Sequence, residues 1–194
     1  LSAATRRLRT ALGVAARVLP MSDDPVRTFV DVDGHGPLPF QQYLVRDRGA
    51  GAVRAIRLRG LRRARPAPGV LPALRRAGIV ILPPSNPFVS IAPILGLAGV
   101  RAALRAAAAR TVAISPIIGD APVKGPLDRM LRGLGHEVSP LGVARLYQGL
   151  AAAFVLDRRD AALAARIAAL GMKPVLADTL MSTSAKSRRL AAVV

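Results

Sequence analysis

Short, continuously apolar runs alternate along the chain with alanine-rich stretches whose apolar positions recur at helical spacing. Four of the runs read as buried strands: Ile79 to Leu82, Thr111 to Ser115, Ala153 to Leu156, and the "KPVLA" of "MKPVLADTL". A further run, "RVLPM", leads into an acidic turn. Helical spacing predicts helices over Gly69 to Ala77, Ile91 to Leu97, Val100 to Ala109, Pro126 to Leu134, Leu141 to Gly149, Asp160 to Leu170 and Ala185 to Val194. Strands apolar on both faces and separated by helices imply a mostly parallel sheet covered on both sides. The expected fold is α/β and Rossmann-like.

Between Thr28 and Gly60 the pattern changes. "TFVDV", "FQQYLVR" and "AVRAIRLRG" alternate in character and are joined by "DGHG" and "RGAGA", which predicts a small antiparallel β excursion over about residues 28–60. The "RGLRRARPAPGV" link that follows reads as a solvated connection. At the start, "LSAATRRLRTALGV" reads as an amphipathic helix capped by Ser2, with Leu8, Ala11 and Leu12 on its apolar side. A domain that opens inside a helix, with no leading strand, is expected to be the C-terminal part of a single α/β domain. Residues 1–194 would then follow a nucleotide-loop segment that they do not contain.

Composition narrows the chemistry. The 194 residues contain no cysteine, which removes disulfides, thiolate metal sites and cysteine nucleophiles, and the two histidines, His35 and His136, lie far apart. Aromatics make up 3% of the chain, so Ala, Leu, Val and Ile must build the core. No stretch reaches the ~20 apolar residues of a membrane span, and no secretory leader is legible. The expectation is a cytoplasmic protein without a membrane partner. The formal net charge of +18 comes almost entirely from scattered arginines. No nucleic-acid-binding motif accompanies it, so nucleic acid is not expected as a partner.

In open α/β sheets, ligands bind beyond the carboxyl ends of the strands. The loops after successive strands, with "RVLPM" counted as the strand before the first, read "SDDPVRT", "PSNPFVS", "SPIIGDAPVKGP" and "DTLMSTS", all rich in small hydroxyl, Asn, Asp or Gly residues. This repetition predicts a phosphate or nucleotide site. Candidate binding residues are Asp23, Asp24, Arg27, Thr28, Ser85, Asn86, Ser90, Ser115, Gly119, Lys124 and Gly125, with Asp178 and Thr179 as weaker ones. Asp23 and Asp24 read either as a cap and a partner for Arg27, or as carboxylates for Mg2+ or a substrate hydroxyl. Ser85 and Asn86 read either as turn and cap residues or as ligand contacts. Lys124 offers a point charge to a phosphate, Gly125 allows close backbone approach, and Pro126 opens a helix. The stretch is not a Walker A loop, which needs G-x-x-x-x-G-K-[ST]: here Gly125 follows the lysine, Pro126 follows Gly125, and no hydroxyl comes next.

Taken together, "LPMSDDPVRTFV", "FQQYLVR", "PGVLPAL", "IVILPPSNPFVSIAPIL", "VAISPIIGDAPVKGPLDRML", "GVARLY", "FVLDRRD" and "LGMKPVLADTLM" resemble, in order and spacing, the 2-phospho-L-lactate transferase family. The resemblance covers nearly the whole chain. It implies transfer of a phospho-lactate or phospho-enolpyruvate group from a GDP-linked donor to the deazaflavin Fo, with release of GMP, in coenzyme F(420) biosynthesis. It also implies Mg2+ as cofactor and a homodimer. Two departures stand out: the family's leading strand and glycine-rich loop have no counterpart here, and Asp120 replaces the second glycine expected after Ile117–Ile118. The catalytic residues are therefore expected before Leu1, outside this chain. A second reading, of a different class, is a non-catalytic nucleotide- or sugar-nucleotide-binding regulatory protein of the same superfamily.

Overall fold

A computed structural model describes all residues, 1–194. The strands are β1 (Arg27–Val32), β2 (Gly36–Pro39), β3 (Val53–Arg59), β4 (Val80–Leu82), β5 (Thr111–Ile114), β6 (Ile117–Ile118), β7 (Ala121–Pro122), β8 (Ala153–Asp157) and β9 (Lys173–Ala177). The helices are α1 (Ser2–Ala11), α2 (Val70–Arg76), α3 (Ala92–Leu95), α4 (Val100–Ala106), α5 (Leu127–Gly133), α6 (Pro140–Leu146), α7 (Ala164–Ala168) and α8 (Ser184–Val193). A parallel sheet runs in the order β4-β5-β8-β9, β1 is flanked by β2 and β3 in an antiparallel sheet, and β6 pairs with β7 in a two-stranded hairpin. The four apolar runs read as strands are the four parallel strands.

Alternation along each parallel strand sends side chains to both faces. Leu82, Ala113, Phe154 and Leu156 enter the main core, where they meet Leu97, Leu104, Leu131, Leu141, Tyr147 and Ile167 from the crossover segments. Ile114, Val155 and Ala177 point the other way, onto Leu190 of α8. Helices thus lie on both faces, although the second face is thinly covered: Ile79 and Ile81 at the β4 edge are half exposed. The antiparallel sheet has its own small core of Val30, Val32, Tyr43, Val53 and Met130. It docks on α5, and it comes so close that a Cβ on Gly133 would stand 2.2 Å from the Val53 carbonyl oxygen. Its polar face carries the exposed pairs Arg54–Asp33 and Arg57–Asp31.

Three expectations are corrected. "FQQYLVR" is no strand but a helical segment whose wide turn covers Gln42–Arg46. Its apolar residues Phe40, Tyr43 and Leu44 sit at i, i+3 and i+4, a helix spacing that buries Tyr43 and lets its hydroxyl donate to the Gly49 carbonyl at 2.8 Å. "RVLPM" likewise forms no strand and joins no sheet. In α1 the Ser2 side chain does not cap the helix but donates to Asp23, and Leu8 and Leu12 face solvent at 64% and 75% exposure.

Candidate functional site

β4, β5 and β9 all end at one side of the parallel sheet, and the segments leaving them wall a cleft of about 520 Å³. The first wall, after β4, is Pro84 to Ser90. Asn86 shapes it: its Oδ1 accepts from the Phe88 and Val89 N–H groups at 2.9 and 3.3 Å, and its amide nitrogen reaches the Met130 sulfur at 3.2 Å. Both ends of the Asn86 side chain are engaged, so the cap reading is the one realised, and Ser85 and Ser90 stand beside it on the cleft.

The second wall follows β5. Ser115, only 1% exposed, is held at the strand end because its N–H donates to the Val155 carbonyl at 2.9 Å. Its hydroxyl donates to the Ile117 carbonyl and accepts from the Ile117 N–H, closing a tight turn into the β6–β7 hairpin. The hairpin ends where the Val123 N–H donates to the Pro116 carbonyl, and that bond delivers Lys124 and Gly125 to the cleft. Gly125 has φ +76°, a conformation open to glycine at no steric cost. Lys124 is the one charged residue in the lining.

The third wall, Thr179 to Ser182, follows β9. It is tied to β8 through Asp157, which is 3% exposed and accepts from both the N–H and the hydroxyl of Thr179 at 3.2 Å. The other Asp157 oxygen accepts from the N–H and Nε of Arg159 at 3.1 and 2.8 Å. Burial pushes the Asp157 carboxyl up, but the bonds from Arg159 and Thr179 outweigh it and hold it down to about 2.

Of the sequence candidates, Ser85, Asn86, Ser90, Ser115, Lys124 and Gly125 come together on this cleft, joined by the weaker candidate Thr179. Asp23, Asp24, Arg27, Thr28 and Gly119 do not line it. Asp23 and Asp24 form a clasp near α1. Asp23 accepts from the Ser2 N–H and hydroxyl, while Asp24 accepts from the Arg65 N–H at 2.8 Å. Leu1, the residue before which the catalytic groups are expected, lies next to Ser2 at this clasp, is exposed, and is not part of the cleft lining. Arg27 and Thr28 are in β1, opposite Arg59 and Leu58. Gly119, at the hairpin tip, donates its N–H to both oxygens of Asp160 at 3.0 Å. Asp178 turns outward to pair with Lys186 at 3.0 Å.

Sequence reasoning missed Phe40 and Leu44, which the helical segment after β2 places on the cleft, and Ser182 in the "DTLMSTS" loop. The i, i+3, i+4 spacing of Phe40, Tyr43 and Leu44 was the signal for the first two. The lining holds hydroxyls, an engaged amide and one ammonium, and no carboxylate. Mg2+ is ordinarily held by one or two carboxylates together with phosphate oxygens. No group of three or more His, Asp or Glu converges elsewhere in the chain. The residues present do not by themselves fit the expected Mg2+. No single helix is long and apolar enough to cross a membrane.

A lysine and several hydroxyls at the carboxyl end of a parallel sheet suit an anionic, phosphate-bearing ligand. Comparison with known proteins narrows this further: the family model described as 2-phospho-L-lactate transferase CofD matches residues 1–193. The chain belongs to the CofD family. Among its relatives, the 2-phospho-L-lactate transferase of Methanosarcina mazei is 41% identical over 194 residues, covering all of this chain and 63% of that protein. The phosphoenolpyruvate transferase of Streptomyces griseus is 39% identical over 197 residues, covering 97% of this chain and 62% of that protein. This CofD chain therefore spans about three-fifths of the length of these relatives. A crystal structure of a UPF0052-family protein from Bacillus halodurans shares the fold, with a TM-score of 0.71 at 14% identity over all of this chain and 66% of that one.

Proposed function

We propose that this CofD chain forms the donor-phosphate side of a cytoplasmic transferase in coenzyme F(420) biosynthesis. In this reading a GDP-linked phospho-lactate or phospho-enolpyruvate donor lies with its diphosphate against Lys124 and the hydroxyls of Ser85, Ser90, Thr179 and Ser182. The terminal hydroxyl of the deazaflavin Fo attacks the phosphorus that bears the organic acid. A P–O bond forms to Fo, the bond to the guanylyl phosphate breaks, GMP leaves with the electron pair, and the Fo hydroxyl proton is released. Such a displacement needs positioning and charge stabilisation more than covalent chemistry. The cleft is suited to both, since Lys124 supplies positive charge where negative charge shifts onto the leaving phosphate, and the hydroxyls orient the oxygens.

The observation that carries this reading is the convergence of Ser85, Ser90, Lys124 and Thr179 on one cleft at the sheet's carboxyl end, in a chain whose family match spans residues 1–193. The test is to incubate a full-length version, one that carries the N-terminal segment expected to hold the catalytic residues, with Fo and freshly made guanylylated donors and to follow phosphorylated deazaflavin by mass spectrometry. Product is expected from one of the two donors, and Lys124→Ala is expected to slow its formation by about 100-fold. Tight GDP binding without product from either donor overturns the transferase reading in favour of a regulatory nucleotide-binding role.

A further inference from the structure

Two buried carboxylates flank the cleft without touching it. Asp157 closes β8 and Asp160 follows three residues later in "LDRRD"; they are 3% and 7% exposed, and neither lines the cleft. Each reaches a different wall. Asp157 takes two hydrogen bonds from Thr179, the first residue of the wall after β9. Asp160 takes the Gly119 N–H between both its oxygens, at the tip of the hairpin whose return strand runs straight into Val123, Lys124 and Gly125. The short segment between them is a 3-10 turn, and the Asp157 oxygen that faces away from Thr179 accepts the Arg159 N–H that begins it. The two carboxylates, three residues apart at the start of this kinked turn, therefore grip both walls.

Burying a carboxylate costs free energy unless its oxygens are satisfied, and the nearby Arg159 guanidinium, already paired with Asp157, offsets the burial of Asp160 only in part. The hydrogen bonds to its carboxylate come from the Gly119 N–H. A polar residue of the hairpin side of the cleft, Lys124, depends on where that tip is held. Gly119 has φ +65° and no Cβ to help anchor it, so nothing else on its own residue fixes it.

We infer that Asp157 and Asp160 are positioning residues that set the width of the phosphate cleft, Asp160 through the Gly119 hairpin and Asp157 through the Thr179 wall. The inference rests on the proposed function for its ligand and on the geometry alone for its mechanics. Without Asp160 the hairpin loses the tether at its tip and keeps only the Val123–Pro116 bond and the β6–β7 pairing to hold Lys124, while the Thr179 wall stays in place; without Asp157 the Thr179 wall loosens and the hairpin keeps its tip. A diphosphate spanning the two walls is weakened in both cases, although neither carboxylate meets it.

The experiment compares Asp160→Ala and Asp157→Ala with the unaltered protein by peptide-resolved hydrogen exchange, with GDP titration as the ligand readout. Asp160→Ala should raise exchange about tenfold across residues 117–125 and leave residues 178–183 unchanged; Asp157→Ala should do the opposite, in line with the loss of a charge-assisted hydrogen bond. GDP affinity should fall about tenfold in each, and Asp160→Asn, which keeps one acceptor for Gly119, should recover most of it. Exchange that stays at the original level in both segments overturns the inference, as does an equal rise across the whole chain, which would mark a merely structural role. If the unaltered protein binds no GDP, the nucleotide reading fails while the exchange pattern still decides whether the carboxylates position the walls.

Discussion

The N-terminal region and the carboxyl end of the parallel sheet each carry a cleft and an aspartate pair, and they are built in opposite ways. The N-terminal cleft, about 470 Å³, is rich in charge, with Arg6, Arg9 and Arg17 beside Ser2, Leu19 and Gly69. Yet α1 buries no residue, and its acidic clasp, Asp23 and Asp24, is exposed. The sheet-end cleft has a single ammonium, but strands with fully buried side chains stand behind it, and its aspartates, Asp157 and Asp160, are buried and bonded to its walls. Charge alone collects ions loosely and is screened by salt. Fixed geometry over a packed core is what lets a few polar groups select one ligand.

The largest effect expected from this contrast is in stability. Phe154, fully buried at the centre of the main core, should cost about 3–5 kcal/mol when changed to alanine. Leu8→Ala, on the exposed side of α1, should leave the urea midpoint where it was. Equal losses in the two variants would break the contrast, because α1 would then be as integral to the fold as β8. Urea unfolding followed by circular dichroism reads both.

Much of the fold was legible because parallel strands are buried on both faces and so appear as unbroken apolar runs. Ile79 to Leu82, Thr111 to Ser115 and Ala153 to Leu156 each fall within a residue of the observed strands. The same reasoning failed at "RVLPM", whose apolar residues never enter the sheet. That one misreading moved Asp23 and Asp24 into the site, because a loop belongs to the sheet end only if its run is a strand of the sheet. At "FQQYLVR" the flanking glycine-rich turns suggested a hairpin, and a three-and-four spacing of Phe40, Tyr43 and Leu44 went unweighed, so Phe40 and Leu44 were not recognised as lining. The hydroxyls and Lys124 were legible because small polar residues directly after a buried run have no core role to play. The role of Asp157 was not, since nothing in a linear sequence pairs residue 157 with residue 179.

Acid sharpens the comparison at the next level. The Asp157 carboxyl is held at about 2 in the folded chain, against an ordinary value near 3.8. A depressed folded value means that the stabilisation is complete above about pH 4–5 and is lost as pH falls toward 2, because the unfolded chain takes up the proton first. The part due to Asp157 is at most about 2 kcal/mol. Asp157→Asn should therefore lower stability at neutral pH and flatten the acid limb of the stability profile. An acid limb as steep in the variant as in the original chain would place the responsible carboxylates elsewhere.

The smallest effect is at the two caps that represent the regions. Asn86 accepts two backbone N–H groups at the start of the turn after β4, and its alanine variant should lose about 1 kcal/mol, read as a lowered urea midpoint. Asp23 also accepts a backbone N–H, from Ser2, and both its oxygens are engaged. The hydrogen-bond inventory alone would rank the two side chains as equals. Their surroundings separate them: Asn86 is anchored through Phe88, Val89 and Met130 to the small core of the antiparallel sheet, whereas Asp23 holds a helix that buries nothing. Water replaces the Ser2 bond readily when Asp23 becomes alanine, so that variant should unfold at the original midpoint. A lowered midpoint for Asp23→Ala, matching that of Asn86→Ala, would show that the bonds themselves, rather than the packing behind them, set the stability of each region.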